Sequence, residues 1–402
     1  MVLLIQERRS FEVAAIALSL VVAAAYHSVL GVRVILAVPL VVGALLALSA
    51  VQDRKISLPG ADFFVLLVSL LYCLVLALNG GQIDILVSAG IFFFLCYWPF
   101  LTSGRSWDSD RLSFMVRAYL AAVSIVAISV VVQYFLYELI GVEVLRVNHY
   151  GGGRVAFSSI WMDFSFLSLY LASAIPLVGF LAKNWIRYSV VVLLGASTLM
   201  TSARTGLVAL ALAISLFIFV ELFRSVLRGR VRSEVFAWLV LLVVLSLGAY
   251  IYFGFFASRE LSLSGSGREI GYINGMRFWG DNVLVGSSLD ISRYTGEYGT
   301  VPHNFLIYVL VVGGLGLAVI MALWLVLAAR MISSAATPIK IALLSVIVGA
   351  SLIPSFFSLY FAAFLFSVAL VNVRVNQNCA RRRNDAAGSA PLSLGSGKIG
   401  AR

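Results

Sequence analysis

The tripeptide Pro302-His303-Asn304 closes a polar stretch, residues 257–302, that carries Arg259, Arg268, Arg277 and Arg293, and it opens an apolar run. An imidazole titrates near neutral pH, so a histidine at the edge of water is suited to taking a proton from a hydroxyl. Guanidinium groups are planar, permanently charged forks that fit the oxygens of a phosphate. Together they point to chemistry on a phosphate-bearing lipid. The plainer reading of His303 is a polar cap at a helix start. Two more clusters belong with these. Residues 141–157 hold Arg146, His149, Gly151-Gly152-Gly153 and Arg154, and the knot Thr201-Ser202-Ala203-Arg204-Thr205-Gly206 puts Arg204 at or just inside a membrane surface. A charge at that depth calls for a partner, or else snorkels to water along its own stem.

An apolar scaffold must position these residues. Of 402 residues, 61% are hydrophobic and 12% charged, with a mean hydropathy of +1.02. That is too little polar surface to cover a soluble core. About twelve apolar segments are separated by short polar breaks: 12–26, 32–50, 62–78, 83–101, 114–140, 158–181, 188–202, 205–222, 235–256, 303–329, 339–353 and 356–373. Most reach the roughly 20 residues that a membrane span needs. The expected fold is an all-α polytopic membrane protein with about twelve transmembrane helices. It forms one transmembrane domain over residues 1–375, with a large periplasmic loop between spans nine and ten. Residues 376–402 read as a disordered cytoplasmic tail. The first segment, behind Arg8 and Arg9, reads as an uncleaved helix rather than a signal peptide.

Charge sets the orientation. With the N-terminus inside, alternate breaks gather Arg8, Arg9, Arg54, Lys55, Arg105, Arg111, Arg117, Lys183, Arg187, Arg224, Arg228, Arg230, Arg232, Arg330, Lys340 and the basic residues of the tail. Short loops rich in Lys and Arg stay cytoplasmic, so both termini are expected on the cytoplasmic side of the membrane and loops 141–157 and 257–302 on the outer side. The basic residues left on the outer side, Arg33, Arg146, Arg154, Arg204, Arg259, Arg268, Arg277 and Arg293, are all arginines. That fits anion binding better than random placement.

Several function classes lose support. The net charge of +11 is mostly this topogenic bias, and no nucleic-acid motif accompanies it. Cys73 and Cys96 fall inside apolar segments and Cys379 in the tail, so neither a disulfide framework nor a metal cluster is implied. Gly397-Lys398 is followed by Ile399, not by the Ser or Thr of a phosphate-binding loop.

The order of motifs resembles the O-antigen ligase and polymerase superfamily. Those motifs are Arg154-Val155-Ala156-Phe157, Thr201 to Gly206, Ser266-Gly267-Arg268, Asn282-Val283-Leu284-Val285-Gly286 and Pro302-His303-Asn304-Phe305-Leu306. Length and the single dominant late loop look most like an O-antigen ligase. Two departures stand out. The family's Gly-x-x-Gly after the His-Asn helix is Gly314-Leu315-Gly316 here, and Ser158-Ser159 replaces a Pro-Asn.

The resemblance implies a transferase, without cofactor, metal or nucleotide, working at the periplasmic face in lipopolysaccharide biosynthesis. Its donor is implied to be undecaprenyl-diphosphate-linked O-antigen and its acceptor the lipid A–core. The catalytic residues it implies are His303, as base for the acceptor hydroxyl, and Arg204 and Arg268, on the leaving diphosphate. Arg154, Arg277 and Asn304 are implied to bind substrate. The nearest rival is an O-antigen or exopolysaccharide polymerase using the same donor, and a pilin glycan transferase is a third. A transporter is a different class; it would show internal repeats and midplane charges. No repeat is evident, and Asp163 is the one unpaired acid read as lying within a span.

Overall fold

The structure, a computed structural model, describes residues 2–22, 28–29, 32–33, 37–51, 60–101, 107–145, 147–150, 154–161, 163–228, 233–255, 268–353 and 359–388. Each apolar segment read from the sequence carries a helix, as expected where only internal hydrogen bonds can satisfy the backbone. In chain order these are α1 (Val2–Ser19), α2 (Ala37–Val51), α3 (Gly60–Leu78), α4 (Ile83–Leu101), α5 (Ser109–Ile140), α6 (Phe164–Ala174), α7 (Asn184–Met200), α8 (Thr205–Arg228) and α9 (Ser233–Phe255). After the long loop come α12 (Phe305–Ser334), α13 (Thr337–Ala350) and α14 (Tyr360–Gly388). Among the described residues, Ile83–Leu101, Ser109–Ile140, Thr205–Ser225 and Phe305–Ser334 are long and apolar enough to cross a membrane. Shorter apolar helices pack around them.

Four expectations need adjusting. The fold is not wholly α: β1 (Ser28–Val29) pairs with β2 (Val32–Arg33), and β3 (Val147–Tyr150) pairs antiparallel with β4 (Arg154–Phe157). The segment 158–181 is not helical from its start, because Ser159 adopts φ +54° and α6 begins only at Phe164. Asp163 therefore lies outside the helix, as its N-cap, not inside a span. The stretch 257–302 contains helices of its own, α10 (Arg268–Asp281) and α11 (Ile291–Tyr298). Finally, α14 runs on to Gly388, into the stretch read as a disordered tail. Its Asn-Gln-Asn-Cys-Ala-Arg-Arg-Arg sequence is rich in good helix formers and carries no Pro or Gly to stop it.

Between helices in lipid there is no hydrophobic driving force, so close packing and aromatic contacts hold the bundle. Trp324 of α12 stacks on Phe366 of α14 at 4.3 Å, and Phe366 meets Tyr97 of α4 edge-on at 6.0 Å. A second aromatic cluster joins Trp161, Tyr170, Phe361, Phe364 and Tyr119. Each such ring pair adds on the order of 1 kcal/mol beyond the area it buries. Small residues let helices approach: a Cβ on Gly349 of α13 would collide with Leu169 of α6.

Helix α12 is broken at Gly314, where φ is +63° and ψ −159°. The long loop fills the break with backbone hydrogen bonds. Ser287 N–H donates to Val311 O at 2.7 Å and Leu289 N–H to Val312 O at 2.8 Å, while Leu315 N–H donates to Val283 O at 2.8 Å. Tyr72 of α3 closes the arrangement, its hydroxyl hydrogen-bonding to Gly313 O at 2.9 Å and Leu284 O at 3.1 Å. A Cβ on Gly314 would strike the Leu284 carbonyl, and one on Gly286 the Val311 carbonyl.

Candidate functional site

Pro302 lacks the N–H that would continue a helix backwards, so His303 and Asn304 are expected to mark the first turn of the helix that follows. In the structure α12 starts at Phe305, two residues later than expected. Asn304 is its N-cap, its Oδ1 accepting from Leu306 N–H at 2.9 Å and Ile307 N–H at 3.2 Å. His303, half-buried, stands just outside the helix. The side-chain oxygen of Asn304, expected to help bind substrate, is thus committed to holding the helix that follows His303.

Helix α10 lies along the start of α12, with Gly271 and Gly275 facing Pro302 and Ile307. Tyr272, one turn after Arg268, donates its hydroxyl to the His303 carbonyl at 3.2 Å. The first turn of α10, and with it the Arg268 position, is thereby fixed beside His303. Helix α11 braces α10 from behind. Buried Tyr294 meets Phe278 edge-on at 5.4 Å and stacks on Tyr298 at 5.2 Å. The loop between α10 and α11 is tied to the turn after α3: Gln82 donates through Nε2 to Asp290 Oδ1 at 3.0 Å, and its N–H to Leu289 O at 3.2 Å.

Arg204 is presented by a rigid knot. Thr201 Oγ1 donates to Thr198 O at 2.7 Å and accepts from Ala203 N–H at 3.3 Å, and Ser202 adopts φ +57°. Ser168 of α6 then grips both flanks of Arg204, donating to Ala203 O at 3.2 Å and accepting from Gly206 N–H at 3.0 Å. Half-buried Arg204 is carried alongside α6, roughly a turn and a half from Asp163.

Asp163 links the two halves of the site. Its Oδ1 accepts from Ser165 N–H at 2.7 Å and Phe166 N–H at 3.0 Å, capping α6. His303 lies near enough for its charge to act on this carboxylate. Burial pushes the Asp163 carboxyl above the usual carboxylate range, opposed by those two N–H groups and by His303. His303, the Arg204 knot and the first turn of α10 therefore meet at one end of the bundle, around the starts of α6, α8 and α12.

Other expected residues are placed differently. Arg277 is exposed, and its charge is felt at the Tyr298 hydroxyl. Arg293 pairs with Asp290, Nε to Oδ2 at 3.6 Å, on α11. Arg154 opens β4 opposite Tyr150. The side chains of Arg154 and Arg268 lie outside the described residues, as do Arg146 and Arg259 altogether. His149 pairs with Glu143 at 2.9 Å on the exposed hairpin.

The residues that the motifs did not reveal are Asp163, Ser168 and Tyr272. Asp163 precedes an apolar run, the ordinary signature of an N-cap, and that signal was available. Ser168 and Tyr272 act through contacts distant in sequence, which no local pattern announces. Among the described residues, no group of three or more His, Cys, Asp or Glu is arranged to hold a metal ion. A scan against protein-family models found no match to this chain, and a search of curated protein sequences found none either.

Proposed function

We propose that this chain is a glycan transferase of the O-antigen ligase type. It joins undecaprenyl-diphosphate-linked O-antigen to the lipid A–core at the periplasmic face of the bacterial inner membrane. The observation that carries the reading is the meeting of a histidine, a half-buried acid and an arginine knot at one end of a helical bundle. The opposite end of the bundle holds Arg187, Arg330, Lys340 and Arg374, in line with the charge bias that puts it in the cytoplasm.

In the proposed reaction a sugar hydroxyl of the acceptor attacks the anomeric carbon of the donor. The new glycosidic C–O bond forms as the C–O bond to the diphosphate breaks, and undecaprenyl diphosphate leaves with the bonding pair. His303 takes the hydroxyl proton. Asp163 steadies the imidazolium that results, as a nearby carboxylate does beside a new positive charge. Arg204 and Arg268 receive the charge that grows on the leaving diphosphate, where preorganised donors have most effect. The donor brings its own leaving group, so neither nucleotide nor metal enters this scheme. Holding two lipid-borne substrates at one bilayer boundary replaces a bimolecular encounter by an oriented one.

A polymerase would use the same donor site, and cellular glycolipids separate the two. In a strain deleted for this chain, ligase loss leaves long undecaprenyl-linked glycan and bare lipid A–core, whereas polymerase loss attaches single repeats. Complementation with His303→Ala is expected to reproduce the deletion. Normal lipopolysaccharide from a stably inserted His303→Ala chain refutes the assignment of His303.

A further inference from the structure

Far from the His303 end, α1 and α5 leave a cavity of about 490 Å³ between them. Its floor is alanine, Ala14 of α1 with Ala118, Ala121 and Ala122 of α5, and Leu18, Ile125 and Phe114 wall it. Along α5 it extends from Phe114 to Ile125, roughly 17 Å at the helical rise. Every lining residue is apolar except Arg117, which stands at one end. Arg117 is exposed, and its Nε donates to the Ser113 carbonyl at 3.2 Å. The neighbouring Arg111 is paired with Asp108.

We propose that this slot holds an anionic phospholipid, one acyl chain lying on the alanine floor and the phosphate on Arg117. The shape argues for a chain of methylenes. A large side chain or a second helix would need a wider face, whereas small residues along two helices make a channel one hydrocarbon wide. The charge argues for the head group. A guanidinium at the rim of an apolar slot reaches the interface along its stem and meets phosphate there as a two-pronged donor. Each such cation near a membrane surface favours anionic lipid by roughly fivefold over zwitterionic lipid. The site is independent of the reaction proposed above and stands at the other end of the bundle. On the charge-bias orientation the lipid belongs to the cytoplasmic leaflet.

Native mass spectrometry of the purified full chain, titrated with phosphatidylglycerol or phosphatidylcholine of identical acyl chains, tests this. The wild type is expected to retain one phosphatidylglycerol with about fivefold or greater preference. Arg117→Gln is expected to abolish the preference, and Arg117→Lys to keep most of it. Ala121→Leu, which fills the floor at an exposed position, is expected to weaken retention of both lipids severalfold. Unchanged circular dichroism and melting of each variant exclude misfolding as the cause. Equal retention of the two lipids by the wild type overturns the proposal. So does a preference that survives Arg117→Gln, or binding that ignores Ala121→Leu, since each means bulk surrounding lipid only.

Discussion

Ser168 and Gly206 interlock across the crossing of α6 and α8. The Gly206 N–H donates to Ser168 Oγ at 3.0 Å, and the two backbones are so close that a Cβ on Gly206 would collide with the Ser168 carbonyl. This contact fixes the first turn of α8, and hence the base from which Arg204 extends, against the helix that Asp163 caps.

Gly206→Ala is therefore expected to push α8 away from α6. Over-packing of this kind costs roughly 1–3 kcal/mol, read as a lower melting temperature in detergent, and activity should fall with it. Gly195, in α7, has open space where a Cβ would go. Gly195→Ala is expected to be neutral or to stabilise by up to about 1 kcal/mol, the usual gain in a helix interior. Equal melting of the two variants contradicts the packing account.

The contrast between these glycines indicates what the sequence can carry. The start of α12 was legible because Pro302 and Asn304 are local signals: one forbids a helix, the other caps it. Asp163 was misread although its N-cap signal was present, because Trp161, Phe164 and Phe166 on both sides of it are apolar and the cap sat inside what looked like a span. Helix α10 was not legible at all. Its Gly271 and Gly275 weaken helix propensity, yet these are the residues that let it lie against Pro302 and Ile307, so its helicity is a product of tertiary packing. The break at Gly314 was equally hidden. A glycine in an apolar run is compatible with an unbroken helix, and only the docking of residues 283–289 selects the left-handed backbone there.

Asp163→Asn is expected to separate the cap from the charge. Asparagine caps a helix as well as aspartate does, so α6 should persist while the carboxylate beside His303 is lost. Activity at neutral pH is expected to fall by about 10- to 100-fold, the scale of one charged hydrogen-bonding partner. The stability profile gives an independent readout. Burial raises the Asp163 pKa above its reference of 3.8. Its contribution to stability is thus fully present below that reference and is lost as pH rises through the raised value. The melting-temperature difference between wild type and Asp163→Asn should shift against the wild type across that window and level off above it. A pH-independent difference means that the carboxylate is not held in the buried setting described.

Arg204→Lys and Arg268→Lys should each lose most activity although the charge is kept. An ammonium cannot reproduce two parallel N–H donors to a diphosphate, and the loss of one charged hydrogen bond corresponds to roughly 10- to 100-fold in rate. Glycan transfer by membranes containing each variant, at matched protein level, measures this. Full rescue by lysine at position 204 reduces Arg204 to a helix-end charge snorkelling to water.

The last expectation concerns the side of the membrane on which all of this occurs. Gln82, Asp290, His303 and the Arg204 knot gather at one end of the bundle, and Arg330, Lys340 and Arg374 at the other. Reversing the chain would place most of its 29 basic residues outside, against the strong bias that keeps Lys and Arg of short loops in the cytoplasm. A phosphatase reporter that matures only in an oxidising compartment should therefore be active when fused near Ser288, and inactive when fused near Arg228. The opposite pattern puts His303 in the cytoplasm, away from a donor finished on the periplasmic side, and the ligase proposal fails with it. Activity at neither junction, with both fusions stably made, means that the 257–302 stretch is not exported and removes the site from the periplasm just as firmly.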